Sequence, residues 1–243
     1  MTVLILGGTA EARALAAALH DAGVPVLSSL AGRVARPRLP VGEVRVGGFG
    51  GPQALARWLG EHAITAVVDA THPFAQRISA SAVEACASAG VPRLRLERPG
   101  WTAAPGDDWH WVDDLPQAAR ATCALGTRVL LTSGRQGLAA FTGIDEVWFL
   151  VRCVDRPEVA LPPRHELLLD RGPYTAAGER ALVQRHRIDL LVTKDSGGPL
   201  TQAKLQVARE RQMPVIVVRR PPRPDGPTVT TVPAAAAWAR RVR

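Results

Sequence analysis

Lysine is nearly missing from this basic chain. Lys194 and Lys204 are its two lysines, and the other 28 of the 30 basic residues are arginine. Aromatic residues make up 5% of the sequence, with a single tyrosine. That scarcity argues against a stacking platform for nucleic-acid bases. Cysteine is scarce too: Cys86, Cys123 and Cys153 are odd in number and far apart. Their spacing fits a reduced, cytoplasmic protein better than a disulfide frame or a zinc site. No apolar run reaches about 18 residues, so no membrane span is expected. No basic segment precedes the apolar run at the amino terminus, which therefore reads as a first strand and not a signal peptide. There is no HExxH, paired CxxC, GxSxG or Walker sequence. Zinc-enzyme, α/β-hydrolase and P-loop ATPase chemistry are thereby disfavoured, and no metal ligand set is expected.

What the chain does have is charge of one sign. Its formal net charge is +8 and its pI about 10.8. Nucleic acid, an anionic membrane or a polyanionic small molecule would each suit that balance. The cations are spread along the chain, and only Arg240, Arg241 and Arg243 form a tail cluster. A small polyanion is the preferred partner, and bias of base composition towards arginine is the plain alternative. The lysines fall in one eleven-residue window. A lysine pKa shifts readily and its ammonium is a compact charge, whereas arginine stays protonated near neutrality.

Apolar runs alternate with helical patterns. Strands are predicted at 3–6, 25–30, 44–46, 64–70 and 92–96, with helices at 10–22, 52–62 and 75–89. After Arg98-Pro99-Gly100-Trp101 an irregular stretch runs to Trp111. The rhythm resumes with helices at 114–124, 175–186, 199–211 and 234–241, and strands at 128–132, 147–151, 167–169, 189–193 and 215–218. Residues 221–227 read as a proline-rich connector. This predicts an α/β protein of two Rossmann-like domains, with parallel sheets flanked by helices and the active site in the cleft between them. The domains are expected at 1–98, a nucleotide-binding unit, and 99–243, a substrate unit. The last helix could pack on either.

Ligands of open α/β sheets sit beyond the carboxyl ends of the strands. The residues there are Gly7-Gly8-Thr9, Ser28-Ser29, the glycine-rich 47–51 including Gly48, Thr71-His72, Ser133-Gly134-Arg135 and Lys194-Asp195-Ser196-Gly197-Gly198. Gly7, Gly8 and Thr9 join a buried strand to a helix start, a seat for a phosphate. The turn departs from G-x-G-x-x-G, with Thr9 and Ala12 where two glycines would fall. After the second strand stand Ser28, Ser29 and Arg33, with no acid to hold a ribose 2′-hydroxyl. That pattern suits the 2′-phosphate of NADP better than NAD. Thr71 and His72 would face the ribose and nicotinamide end, and His72 could donate a proton. Arg135 could crown an anion nest. Lys194, Ser196, Gly197, Gly198 and Lys204 would offer ammonium and N–H groups to an anionic substrate. Proton donors on this reading are Lys194, Asp195, His72 or water.

Taken together these segments resemble the precorrin-6A reductase family of cobalamin biosynthesis. The resemblance rests on Leu4–Arg13, Ser29–Arg33, Asp69-Ala-Thr-His-Pro-Phe-Ala75, Arg98–Trp101, Leu131–Arg135 and Val192–Gly198. It implies NADPH-dependent reduction of one double bond of a polycarboxylate tetrapyrrole, with two α/β domains holding the ligands. It implies an anionic tetrapyrrole as partner, without nucleic acid or membrane, and a monomer or small homo-oligomer. A reductase of a small dicarboxylate or imine, similar in its first domain to dihydrodipicolinate reductase, and a basic nucleic-acid binder are the competing readings.

Overall fold

The computed structural model describes residues 2–32 and 36–242. They form two compact units, Met1–Pro99 with Pro221–Arg243, and Gly100–Arg220. The first begins β1 (Thr2–Leu6), α1 (Ala10–Asp21), β2 (Val26–Leu30), β3 (Glu43–Val46), α2 (Pro52–Glu61), β4 (Ile64–Asp69), α3 (Gln76–Ala89) and β5 (Arg93–Leu96). The second contains β6 (Trp109–Val112), α4 (Leu115–Leu125), β7 (Arg128–Leu131), β8 (Trp148–Cys153), β9 (His165–Leu169), α5 (Ala176–His186), β10 (Leu190–Lys194), α6 (Ala203–Glu210) and β11 (Val215–Val218). The chain then returns to the first unit with β12 (Thr228–Val229) and α7 (Val232–Arg241).

Each unit is built on one six-stranded, all-parallel sheet. The orders are β12-β5-β4-β1-β2-β3 and β6-β11-β10-β7-β8-β9. A parallel sheet covered on both faces needs strands that are apolar throughout. β1 shows it: Val3 and Ile5 pack with Leu15 and Leu19 of α1, while Leu4 and Leu6 pack with Leu55 and Leu59 of α2. α1 buries Ala12, Leu15, Ala16 and Leu19, the spacing of one helical stripe. Ala235, Ala236 and Ala239 of α7 join the same cluster, so small side chains let the last helix seat against the first unit.

Two strands escape the sequence reading. β6 lies in the stretch read as irregular to Trp111, and β12 directly follows the proline-rich connector. Both are short edge strands with one neighbour each, β11 and β5, so neither carries the buried apolar run that marks a central strand. The segment read as one helix from Pro199 opens instead with a separate 3-10 turn, Pro199–Thr201, before α6.

The carboxyl ends of β4 and β5 share a buried charge network. Arg95 on β5 is 5% exposed and Asp69 on β4 is fully buried. Arg95 Nη1 lies 2.7 Å from Asp69 Oδ2 and donates to Thr71 Oγ1 and Ser79 Oγ. Arg95 Nε and Nη2 donate to Glu97 Oε2 at 3.0 and 2.9 Å. Removing the cation strands buried carboxylates, which costs about 3–5 kcal/mol. Arg95→Met should therefore lower the unfolding free energy of the first unit by that amount, read from urea denaturation. A loss below about 1 kcal/mol, the worth of an exposed pair, would show the network to be solvated.

Candidate functional site

In the first unit the strand order turns back between β1 and β4, the position where doubly wound folds hold ligands. β1 ends at Leu6, and its continuation Gly7 donates its N–H to Ser29 O at 2.9 Å. Gly7 thus extends the sheet and does not offer a free donor. Gly8 has φ +107 and open space where a side chain would stand, so glycine is required at this corner. Thr9 caps α1: its Oγ1 accepts from Ala12 N at 3.1 Å and donates to Ala70 O at 2.7 Å. One orphan N–H of the helix start is thereby answered, and the others face out of the helix end. Beside them is a hollow lined by Gly7, Gly8, Arg13, Ser28, Leu30 and Arg38. Ser28 is 2% exposed, and among the described residues its Oγ has no hydrogen-bond partner. A buried, unanswered hydroxyl in a hollow beneath a helix start suits a bound polar group.

Ser29 points to the other face, where Arg45 Nη1 donates to its Oγ at 3.2 Å. Gly48 sits in the β3–α2 loop, and its carbonyl accepts from Arg45 Nη2 at 3.0 Å. Arg33 lies outside the described residues. Thr71 is held by Asp69 Oδ1, which accepts from Thr71 N and Thr71 Oγ1 at 3.1 and 2.7 Å. Its hydroxyl is thus committed to the turn. His72 follows, half-buried, and its Nδ1 accepts from Phe74 N at 3.2 Å. The proton of the neutral ring then resides on Nε2.

The second unit repeats the pattern, with its reversal between β7 and β10. β10 ends in Lys194, and Asp195 follows, then Gly197 and Gly198 with φ +64 and +73. Both oxygens of Asp195 are engaged. Oδ1 accepts from Trp101 N at 2.9 Å, and Oδ2 lies 3.2 Å from Arg220 Nε. A side chain at Gly100 would meet Asp195 Oδ2 at 2.5 Å, so glycine is demanded there. Gly198 O accepts from Trp101 Nε1 at 3.1 Å, and Ser196 N donates to Lys194 O. Arg135 opens the turn after Ser133, whose buried Oγ lacks a partner among the described residues.

Lys204 on α6 is 6% exposed. Its Nζ donates to Thr132 Oγ1 at 3.1 Å and lies 5.5 Å from the Trp101 ring centre. Burial, and next the Arg152 charge, push its pKa down to about 7, with Glu179 opposing. Burial also lowers the pKa of Lys194. Arg152 and Glu179 form a bidentate buried pair under the Tyr174 ring. With Asp170 and Pro173 they line a cavity of about 220 Å³. Sequence reasoning missed this pair, because its members are 27 positions apart and neither stands in a glycine-rich turn. Arg45 was missed for the same reason, and its pairing with Ser29 follows from the β2–β3 register. Among the described residues no three His, Cys, Asp or Glu side chains gather as metal ligands, and no helix is long and apolar enough to cross a membrane.

Comparison with known proteins gives one consistent result. Residues 2–240 match the family model described as "Precorrin-6x reductase CbiJ/CobK". A precorrin-6A reductase of Rhodococcus erythropolis is 54% identical over 238 residues, covering 97% of this chain and 96% of that protein. A precorrin-6A reductase of Mycobacterium tuberculosis is 51% identical over 239 residues, with the same coverage. A cobalt-precorrin-6A reductase of Salmonella typhimurium is 32% identical, covering 90% of this chain and 87% of that one. Among solved structures, "CobK precorrin-6A reductase" superposes with a TM-score of 0.94 at 39% identity, covering 99% of this chain and 96% of the other.

The Lys204 environment makes a pH prediction. Its folded-state pKa of about 7 lies below the unfolded value of about 10.4. Between those values the unfolded chain binds more protons, so stability rises with pH across that window. Lys204→Met, of similar length and without a titrating group, should lose that rise. Urea unfolding of both proteins at about pH 6 and about pH 10 checks it. Parallel pH profiles would mean that Nζ stays charged throughout.

Proposed function

Because the chain belongs to the precorrin-6x reductase family, we propose that it uses NADPH to reduce one double bond of precorrin-6A, a tetrapyrrole macrocycle rich in carboxylates. The observation that carries this reading is family membership along residues 2–240. The relatives named for the cobalt-free substrate are also the more similar ones, at 54% and 51% against 32% for the cobalt-named protein. The metal-free macrocycle is therefore the proposed substrate. No specific observation favours the small-dicarboxylate or nucleic-acid readings.

The first unit suits the cofactor on its own chemistry. The α1 helix end, the Gly8 corner, and the buried Ser28 Oγ beside Arg13 and Arg38 make a seat for a pyrophosphate. β2 closes with Ser28-Ser29-Leu30 and carries no acid, which fits NADPH because no carboxylate there would repel a 2′-phosphate. When bound, the reduced nicotinamide supplies a hydride. The chain's own residues supply position and charge. The Asp69–Thr71 turn holds His72 at the end of β4. Arg135, Lys194, Lys204, Ser196 and the N–H groups of Gly197 and Gly198 meet macrocycle carboxylates. Orientation of both reactants can lower the barrier by about 7–11 kcal/mol.

Of the side chains offered as proton donors, Lys194 Nζ and His72 Nε2 remain. Asp195 acts as a positioning carboxylate, because Trp101 N–H and Arg220 occupy both its oxygens. The direct experiment mixes the purified protein with NADPH and metal-free precorrin-6A and follows loss of the reduced nicotinamide's near-ultraviolet absorbance. The expected result is oxidation that requires both compounds and is slower with the cobalt form. No oxidation with either macrocycle would end the proposal.

A further inference from the structure

Arg45 ends up as a fixed guanidinium at the place where a dinucleotide fold reads the adenosine ribose. The register of parallel β2 and β3 sets Arg45 opposite Ser29. Its Nη1 donates to Ser29 Oγ at 3.2 Å and to Gly47 O at 2.9 Å, and its Nη2 to Gly48 O at 3.0 Å. The Phe49 ring lies beneath it, with the guanidinium carbon 3.8 Å from the ring centre, and Trp58 stands behind at 5.4 Å. Phe49 and Trp58 meet edge to face, and Trp58 stacks on His62 with centres 4.0 Å apart. Every one of these partners is neutral, and among the described residues no carboxylate pairs with Arg45. The partners take both Nη1 protons and one Nη2 proton. They leave Nε–H and the second Nη2–H, two parallel donors of the kind that grip a phosphate. Burial lowers its pKa without any opposing acid. The charge is thus half-withdrawn from water, held in one orientation and unmatched.

We infer that Arg45 is the residue that selects NADPH over NADH, its guanidinium binding the 2′-phosphate beside Ser29. This rests on the cofactor reading above and adds a residue to it. A phosphomonoester on the ribose supplies the missing negative charge, while a free 2′-hydroxyl supplies none. The glycine-rich loop of Gly47, Gly48, Gly50 and Gly51 keeps side chains away from the approach. The plain alternative is that Arg45 only pins that loop through the Gly47 and Gly48 carbonyls.

Calorimetric titration of the full chain with NADPH, NADH and 2′,5′-ADP separates the two. The wild type should bind NADPH and 2′,5′-ADP, and bind NADH more weakly. Arg45→Gln should weaken NADPH and 2′,5′-ADP by about ten- to hundredfold while leaving NADH unchanged. Arg45→Lys keeps the charge but loses the fork, and should fall between the two. It also serves if the glutamine variant does not fold. An equal loss for NADPH and NADH would assign Arg45 to the loop and overturn the inference. So would an undiminished preference for NADPH in either variant. A wild type that binds neither dinucleotide, or prefers NADH, would instead overturn the cofactor reading, and the inference with it.

Discussion

Arg95 is the cation on which the working edge of the first sheet depends. One guanidinium joins Asp69 at the end of β4, Glu97 beyond β5, and the hydroxyls of Thr71 and Ser79. A parallel sheet brings like strand ends together, so its polar residues collect at the carboxyl edge and leave water as a group. A lone carboxylate there would be costly to bury. Arg95 removes that cost and, through Asp69 Oδ1, fixes the turn that carries Thr71 and His72. The second unit answers the same problem at the matching position. Asp195 follows β10, the neighbour of β7 across the reversal, as Asp69 ends β4, the neighbour of β1 across its own. Its cation, Arg220, comes from just beyond the adjacent strand β11. Similar sheets have met one electrostatic demand with one device, although the sequences around Asp69 and Asp195 share little.

The device divides labour between residues that look alike in sequence. Asp69, Thr71 and Asp195 sit among glycines and hydroxyls and resemble binding residues, yet their polar atoms are spent inside the protein. Ser28, Ser133 and Lys204 are polar, deeply buried and poorly compensated. Burial without compensation costs free energy unless a ligand removes it, and such strain collects at functional sites. The lysine window follows this logic. Among the described residues no carboxylate lies within ion-pair reach of Lys204, and the Arg152 charge repels it. An arginine there would remain charged at any pH the protein meets.

The alternation of strands and helices was legible because it depends on local runs. Val3 to Leu6 cannot be a half-exposed strand, and Gly8 cannot be replaced at φ +107. The strand-end turns were legible for the same reason. β6 and β12 were not, since an edge strand with one partner needs little apolar sequence. β6 follows β5 of the first sheet yet belongs to the second, and β12 follows β11 of the second sheet yet belongs to the first. No local pattern encodes that exchange.

Contacts set by register were hidden most thoroughly. Arg45 is an ordinary arginine in a weak strand until β2 and β3 align and put Ser29 across from it. The hydrophobic pattern that fixes this register is carried by other residues, such as Leu27 in the core and Val44 beside it. The position of the guanidinium is therefore a consequence of core packing. A slip of one residue would send it to the opposite face of the sheet. The same core thus sets both the stability of the first sheet and the direction in which its unmatched charge points.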